Sequence, residues 1–227
     1  MIDGLNAVST TEYPAEQFQS VEVLSGLAGS LYGPANPAGM FNLVSKRPTD
    51  TPLHRVTVGA STGNGTLTAM DFSGPIDDGD RVKYRLNLLN DEGHGYTSGS
   101  HKRRQLASLG LDFQLTDKTV LETNFSYYHY YEKGMPGSFA LAKGVHFPSP
   151  LDPTKSKYGQ SYAGNDDETS TASLHIKHDF DGNWLLDVGV LRQIADREST
   201  TVTNTLTDNR GNYTTTTSNS AASRFTI

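Results

Sequence analysis

The chain contains no cysteine. Disulfide frameworks, thiolate zinc sites and cysteine nucleophiles are therefore excluded. It also lacks long apolar runs: the longest are about five residues, far short of the ~20 that a membrane helix needs. A dominant charge is missing too, with 25 acidic against 19 basic residues. The one basic cluster, Lys102-Arg103-Arg104, is too short for a nucleic-acid footprint and reads as a solvated loop end. No nucleic-acid partner is expected. Met1-Ile2-Asp3-Gly4 has neither the basic start nor the apolar core of a signal peptide. On this reading, either the chain is cytoplasmic or its start is missing. Arg224-Phe225-Thr226-Ile227 stops inside a strand-like alternation with no turn after it, so the other end reads as cut.

Enzyme signatures are absent as well. There is no Gly-x-Ser-x-Gly, no phosphate loop and no His-Glu-x-x-His. His175 and His178 are three apart, which on a strand puts them on opposite sides. Asp166-Asp167-Glu168 has the chemistry to bind a cation but reads more simply as a solvated loop. No catalytic residue, metal ligand or cofactor is expected.

What is present is alternation. Val82, Tyr84, Leu86 and Leu88 oppose Lys83, Arg85 and Asn87. Ala107, Leu109, Leu111 and Phe113 oppose Ser108, Gly110 and Asp112. Leu121, Phe125 and Tyr127 oppose Glu122, Asn124 and Ser126, and Ala172 to Phe180 continues in the same manner. Period 2 marks strands whose two faces meet different surroundings. A weaker strand spans Trp184 to Arg192, and two more fit 54–61 and 66–74. Tight turns at Asp77-Asp78-Gly79-Asp80, Thr116-Asp117-Lys118 and Asp181-Gly182-Asn183 alternate with longer connections near 91–103, 132–168 and 197–220. Outer-membrane barrels have this asymmetry, short turns on one side and long loops on the other. Their strands need only ~9–11 residues with apolar side chains at alternate positions. A mean hydropathy of −0.50 is no objection. Tyr127-Tyr128-His129-Tyr130-Tyr131 is placed to form an aromatic girdle at the membrane boundary.

Residues 1–48 differ in texture, with a Gly/Pro-rich stretch from Gly26 to Gly39. Pro48-Thr49-Asp50-Thr51-Pro52 then reads as an extended linker. The order Val21-Glu22-Val23-Leu24, Gly26, Leu31-Tyr32-Gly33, Pro37-Ala38-Gly39 and Asn42-Leu43-Val44-Ser45-Lys46-Arg47-Pro48 resembles the end of the plug domain of TonB-dependent siderophore receptors. Asp71-Phe72-Ser73-Gly74-Pro75-Ile76, followed by a basic strand with Tyr84-Arg85, is similar to that family's second and third barrel strands, and Tyr162 to Glu168, before a strand, is similar too. The resemblance covers nearly the whole chain.

It implies a mainly β fold: a partial antiparallel transmembrane β-barrel of about seven to eight strands, with the C-terminal part of a small α/β plug. The boundaries are plug 1–48, linker 49–53 and barrel 54–227. It implies a receptor in the bacterial outer membrane that takes up ferric siderophore, with iron ligated by the siderophore. Its partners are the siderophore, outer-membrane lipid, and the TonB energy-coupling complex through a motif absent from this chain. The ligand-binding candidates are Thr11 and Tyr13, near an apical plug loop, and Tyr96, Met135 and Phe139 in long loops. One departure stands out. The family carries a basic residue before the turn glycine, which can pair with barrel carboxylates and lock the plug, and here it is Ser25. The rival reading is a soluble extracellular β-rich binding or adhesin module, which the Thr/Ser-rich stretch 199–220 would suit.

Overall fold

The structure is a computed structural model that describes residues 1–24, 39–62, 64–150, 152, 154 and 159–227, and of 221–222 the backbone alone. A short 3-10 turn, Ala15–Gln17, leads into strand β1 (Phe18–Leu24), which pairs antiparallel with β2 (Met40–Ser45) in a sheet of their own. The remaining strands form one large sheet. They are β3 (Leu53–Ser61), β4 (Gly65–Pro75), β5 (Val82–Gly93), β6 (His101–Thr116), β7 (Thr119–Lys133), β8 (Ser138–Leu141), β9 (Gly164–Asp179), β10 (Leu185–Leu206) and β11 (Tyr213–Thr226). Its order is β11-β10-β9-β7-β6-β5-β4-β3, with every step antiparallel. Only β8 departs, joining β10 in parallel. The sheet is open, with β3 and β11 at its edges.

The alternation fixes which face each residue takes. Phe72, Leu86, Leu109, Phe125 and Ala172 are register partners in one row across β4, β5, β6, β7 and β9. The neighbouring row runs Asp71, Asn87, Ser108, Ser126, Thr171 and Gln193. Burial is inverted relative to a water-soluble sheet. Val58 is 77 % exposed and Val190 63 %, whereas Gln193 and Ser73 are 0 % exposed. A protein surrounded by water buries its apolar side chains and leaves its polar ones outside. This sheet does the reverse, as a wall does when lipid is its outer solvent. The expected register therefore holds: Lys83 pairs across from Asp112 on the polar face, and Leu86 lies on the apolar one.

The strands run further than period 2 suggested. β5 and β6 leave only 94–100 between them, and β10 and β11 only 207–212. Much of 197–220, expected as a long connection, is a ladder pairing Thr201–Thr205 with Thr214–Ser218. Thr, Ser and Asn dominate both faces of this stretch, with only Val202 and Leu206 apolar and buried, which hides it from an alternation search. The connection at 132–168 likewise shrinks to 134–163 and includes β8. Asp166-Asp167-Glu168 lies inside β9 rather than in a loop. Successive side chains then point to opposite faces, so the three carboxylates cannot chelate one ion.

Candidate functional site

The first 24 residues and β2 lie against the polar, concave face. Leu43 is held by backbone bonds from Asp3 N–H and to the Met1 carbonyl, both 3.0 Å. The Val8 N–H donates to Gln193 Oε1 at 2.7 Å, and the Tyr13 hydroxyl donates to the same oxygen at 3.0 Å. Gln193 Nε2 in turn donates to Thr171 Oγ1 at 2.9 Å. Each polar atom of this buried amide is thus occupied, as a desolvated amide requires. Burial pushes the Tyr13 hydroxyl pKa up, with the Gln193 bond opposing it.

Where β2 leaves its sheet, Lys46 and Arg47 meet the wall. Lys46 Nζ donates to Asp71 Oδ2 at 3.0 Å and Asn87 Oδ1 at 3.2 Å. Arg85 grips Asp71 through two nitrogens, at 2.9 and 2.8 Å, and donates to the Arg47 carbonyl at 3.0 Å. The Arg47 guanidinium stands between Asp112 and Glu122. Burial pushes its pKa down, while Glu122 and Asp3 pull it back up. Beside it Lys83 holds Asp50 at 2.5 Å, and the hydrogen bond draws the Asp50 carboxyl below the usual carboxylate range. Asp71, Asp112 and Glu122 all occupy inward positions of the alternation, which is why they can receive these cations. The Lys46-Arg47 pair was visible in the sequence. Its wall partners were not, because contacts between residues that far apart depend on register. Leu31-Tyr32-Gly33 and Ser25, singled out in the sequence, lie outside the described residues.

The opposite end of the concave face carries a second cluster. Arg104 donates to Asp91 at 2.8 Å and to Glu16 at 3.1 Å. Tyr128 and Tyr130 point inward beside it, and the Tyr130 hydroxyl donates to Glu132. Leu89, Leu106 and Tyr128 form a small buried cluster with Leu67, Ala69 and Tyr130 packed on it. Of the four tyrosines in the run, Tyr127 and Tyr131 face outward to serve a girdle, since β7 alternates through it.

Thr11 and Tyr13 both reach this concave face, Thr11 through Oγ1 at 2.6 Å from Thr169 Oγ1. Tyr96 is 79 % exposed in the 94–100 connection. Met135 and Phe139 lie after β7, Met135 tied to the Ala163 carbonyl and Phe139 in β8 opposite Asn204. No described hydrogen bond joins these three to Thr11 or Tyr13. Asp91, Arg104, Tyr128, Asp167 and Arg197 were missed as site candidates. The signal available was their inward parity in strands that carry apolar residues outward. His175 and His178 do take opposite faces: His175 bonds Asp187 at 3.0 Å, and His178 packs on Phe180.

An open antiparallel wall with an inner segment ion-paired to its polar face defines a class, the outer-membrane barrel with an internal plug. No family model matches the chain. It is 33% identical over 114 residues to the ferrichrome outer membrane transporter/phage receptor of Escherichia coli K12, covering 50% of this chain and 15% of that protein. It is 30% identical over 170 residues to the ferrichrome receptor FcuA of Yersinia enterocolitica, covering 73% of this chain and 22% of that one. Among solved structures, the pyoverdine outer membrane receptor FpvA of Pseudomonas aeruginosa PAO1 superposes with a TM-score of 0.79 at 21% identity, over 88% of this chain and 31% of that one. Sequence and fold together place the chain among the TonB-dependent siderophore receptors. The chain spans about a fifth of the length of the curated relatives it matches.

Proposed function

We propose that the chain is part of an outer-membrane receptor that takes up a ferric siderophore, with residues 1–48 as the end of the plug, 49–53 as the linker and 54–227 as wall. The observation that carries this reading is the ionic junction of Lys46 and Arg47 with Asp71, Asp112 and Glu122. It ties an internal segment to the lumen side of a wall whose outside is apolar. A soluble adhesin has no use for that inversion, since Val58, Val190 and Trp184 would all stand in water. The reading is binding and transport rather than catalysis. Iron arrives inside its siderophore, so the receptor contributes contacts and no resident cofactor. Thr11, Tyr13, Tyr96, Met135 and Phe139 are assigned to the ligand side. Energy comes from the TonB complex, acting on a plug motif that this chain does not contain.

The relatives' names include receptors for ferrichrome and pyoverdine, two chemically different siderophores. The test is uptake of radioactive iron by a strain stripped of other siderophore receptors and supplied with the complete gene. Uptake of at least one ferric siderophore that disappears when TonB is deleted is expected. Equal uptake with and without TonB would overturn the reading.

A further inference from the structure

The upper concave face, beyond Leu89 and Leu106, has an uneven charge balance. Five carboxylates reach it: Glu12 and Glu16 from the inner segment, and Asp91, Glu132 and Asp167 from the wall. Glu12 is close enough to act electrostatically on Tyr128, Tyr130 and Asp167. Three cations oppose them, and each is already engaged. Arg104 is shared by Asp91 and Glu16. Arg197 stands 3.8 Å from Asp167 and donates to the Thr10 carbonyl at 3.0 Å. Lys102 is the register partner of Glu132, with its ammonium 5.6 Å from the Tyr130 ring centre. Lys133 and Asp166, at outward positions of β7 and β9, also act on Asp167 but with opposite signs, so the inward-facing described groups at this level leave two negative charges over. A separate observation concerns Asp167. It is 3 % exposed, and its Oδ1 has no hydrogen-bond partner. A desolvated carboxylate oxygen of this kind is completed by a donor.

We propose that this face selects ferric complexes without net negative charge, admitting neutral or cationic trishydroxamates and repelling trianionic triscatecholates. The inference rests on the receptor reading above. Three hydroxamates neutralise Fe³⁺, whereas three catecholates leave a charge of −3. A polyanion entering here meets surplus carboxylates in a partly desolvated site, where screening is weak. A neutral or cationic complex meets the partly exposed Tyr130 ring, which suits apolar and cationic groups. An ammonium or N–H of the ligand can satisfy the free oxygen of Asp167.

The experiment uses the complete receptor in outer membranes of a strain lacking other siderophore receptors. Ferrichrome (neutral), ferrioxamine B (singly positive) and a ferric triscatecholate (−3) compete for saturable binding. Both hydroxamates should bind at least tenfold tighter than the catecholate. In Glu12→Lys, and in Glu12→Lys with Glu132→Lys, the ratio of catecholate to ferrichrome affinity should rise several-fold. A ratio taken within one protein cancels any loss of folded receptor. Catecholate binding as tight as hydroxamate binding, or a ratio that neither variant moves, overturns the inference while leaving the receptor reading intact. Failure of every ferric complex to bind overturns both.

Discussion

Arg47 is the residue on which the inner segment's attachment turns. Its guanidinium separates Asp112 from Glu122, two carboxylates that face each other across β6 and β7. Arg47→Ala removes the cation between them and leaves Asp112 and Glu122 adjacent and partly buried, with Lys177 still 2.9 Å from Glu122. Breaking a fully buried pair costs about 3–5 kcal/mol and an exposed one about 0–1 kcal/mol. These side chains are about a fifth exposed, so a loss on the order of 2 kcal/mol is expected. Calorimetry of the complete receptor in detergent checks this. Restoring the charge with Arg47→Lys should recover only part of the loss, since a point charge cannot bridge both carboxylates as a fork does. Asp50 offers a pH test. Its carboxyl pKa is depressed by Lys83. Its contribution is therefore present above the ordinary carboxylate value and lost as pH falls through the depressed folded one. The stability gap between the parent and Asp50→Asn should accordingly close below pH of about 4. A gap that widened on acidification would contradict this sign.

At the scale of the strand, everything depends on parity. One residue of slip would move every apolar side chain from lipid to lumen. Leu109 and Ser108 are neighbours in β6, yet Leu109 shares its row with Leu86 and Phe125, and Ser108 with Asn87 and Ser126. Spin labels at Leu86, Leu109 and Ile176 of the complete receptor in vesicles should be relaxed by lipid-dissolved oxygen. Labels at Asn87 and Ser108 should not. Leu109→Arg should destabilise the folded wall by about 2–4 kcal/mol, as a cation near the bilayer midplane does. Unfolding titration in vesicles measures it. Parity also explains Gly189. A Cβ there would stand 2.5 Å from the His175 ring, so this inward position yields its space to the imidazole of the neighbouring strand.

At the scale of the whole molecule, the open edges matter. β3 and β11 each present a row of backbone groups with no strand beyond them in this sheet. In lipid each unpaired group costs several kcal/mol. In water an open edge recruits other chains. These 227 residues produced alone should therefore fail to give a heat-modifiable band from vesicles and should associate in solution. Electrophoresis without boiling and light scattering test the two arms. A monodisperse, heat-modifiable product would show that the edges are covered in some other way.

What the residues by themselves determined was local and periodic. Alternation set the two faces of β5, β6, β7 and β9 and marked strands at 54–61 and 66–74, because the period of 2 is written in adjacent positions. The tight turns at Asp77-Asp78-Gly79-Asp80 and Asp181-Gly182-Asn183 were equally legible, since turn geometry selects its own residue types. The ordered match at 16–48 points to the family from the sequence alone. Three things waited on tertiary structure. The ladder of β10 and β11 beyond Arg197 is mostly Thr, Ser and Asn, with only Val202 and Leu206 apolar and buried in β10, so alternation there is too sparse to announce it. The inward half of the Tyr127–Tyr131 run separates from the outward half only once β7 is known to continue through it. The partners of Lys46, Arg47 and Gln193 come from distant strands, and only the packing of the inner segment against the curved polar face brings those charges and amides within hydrogen-bonding distance.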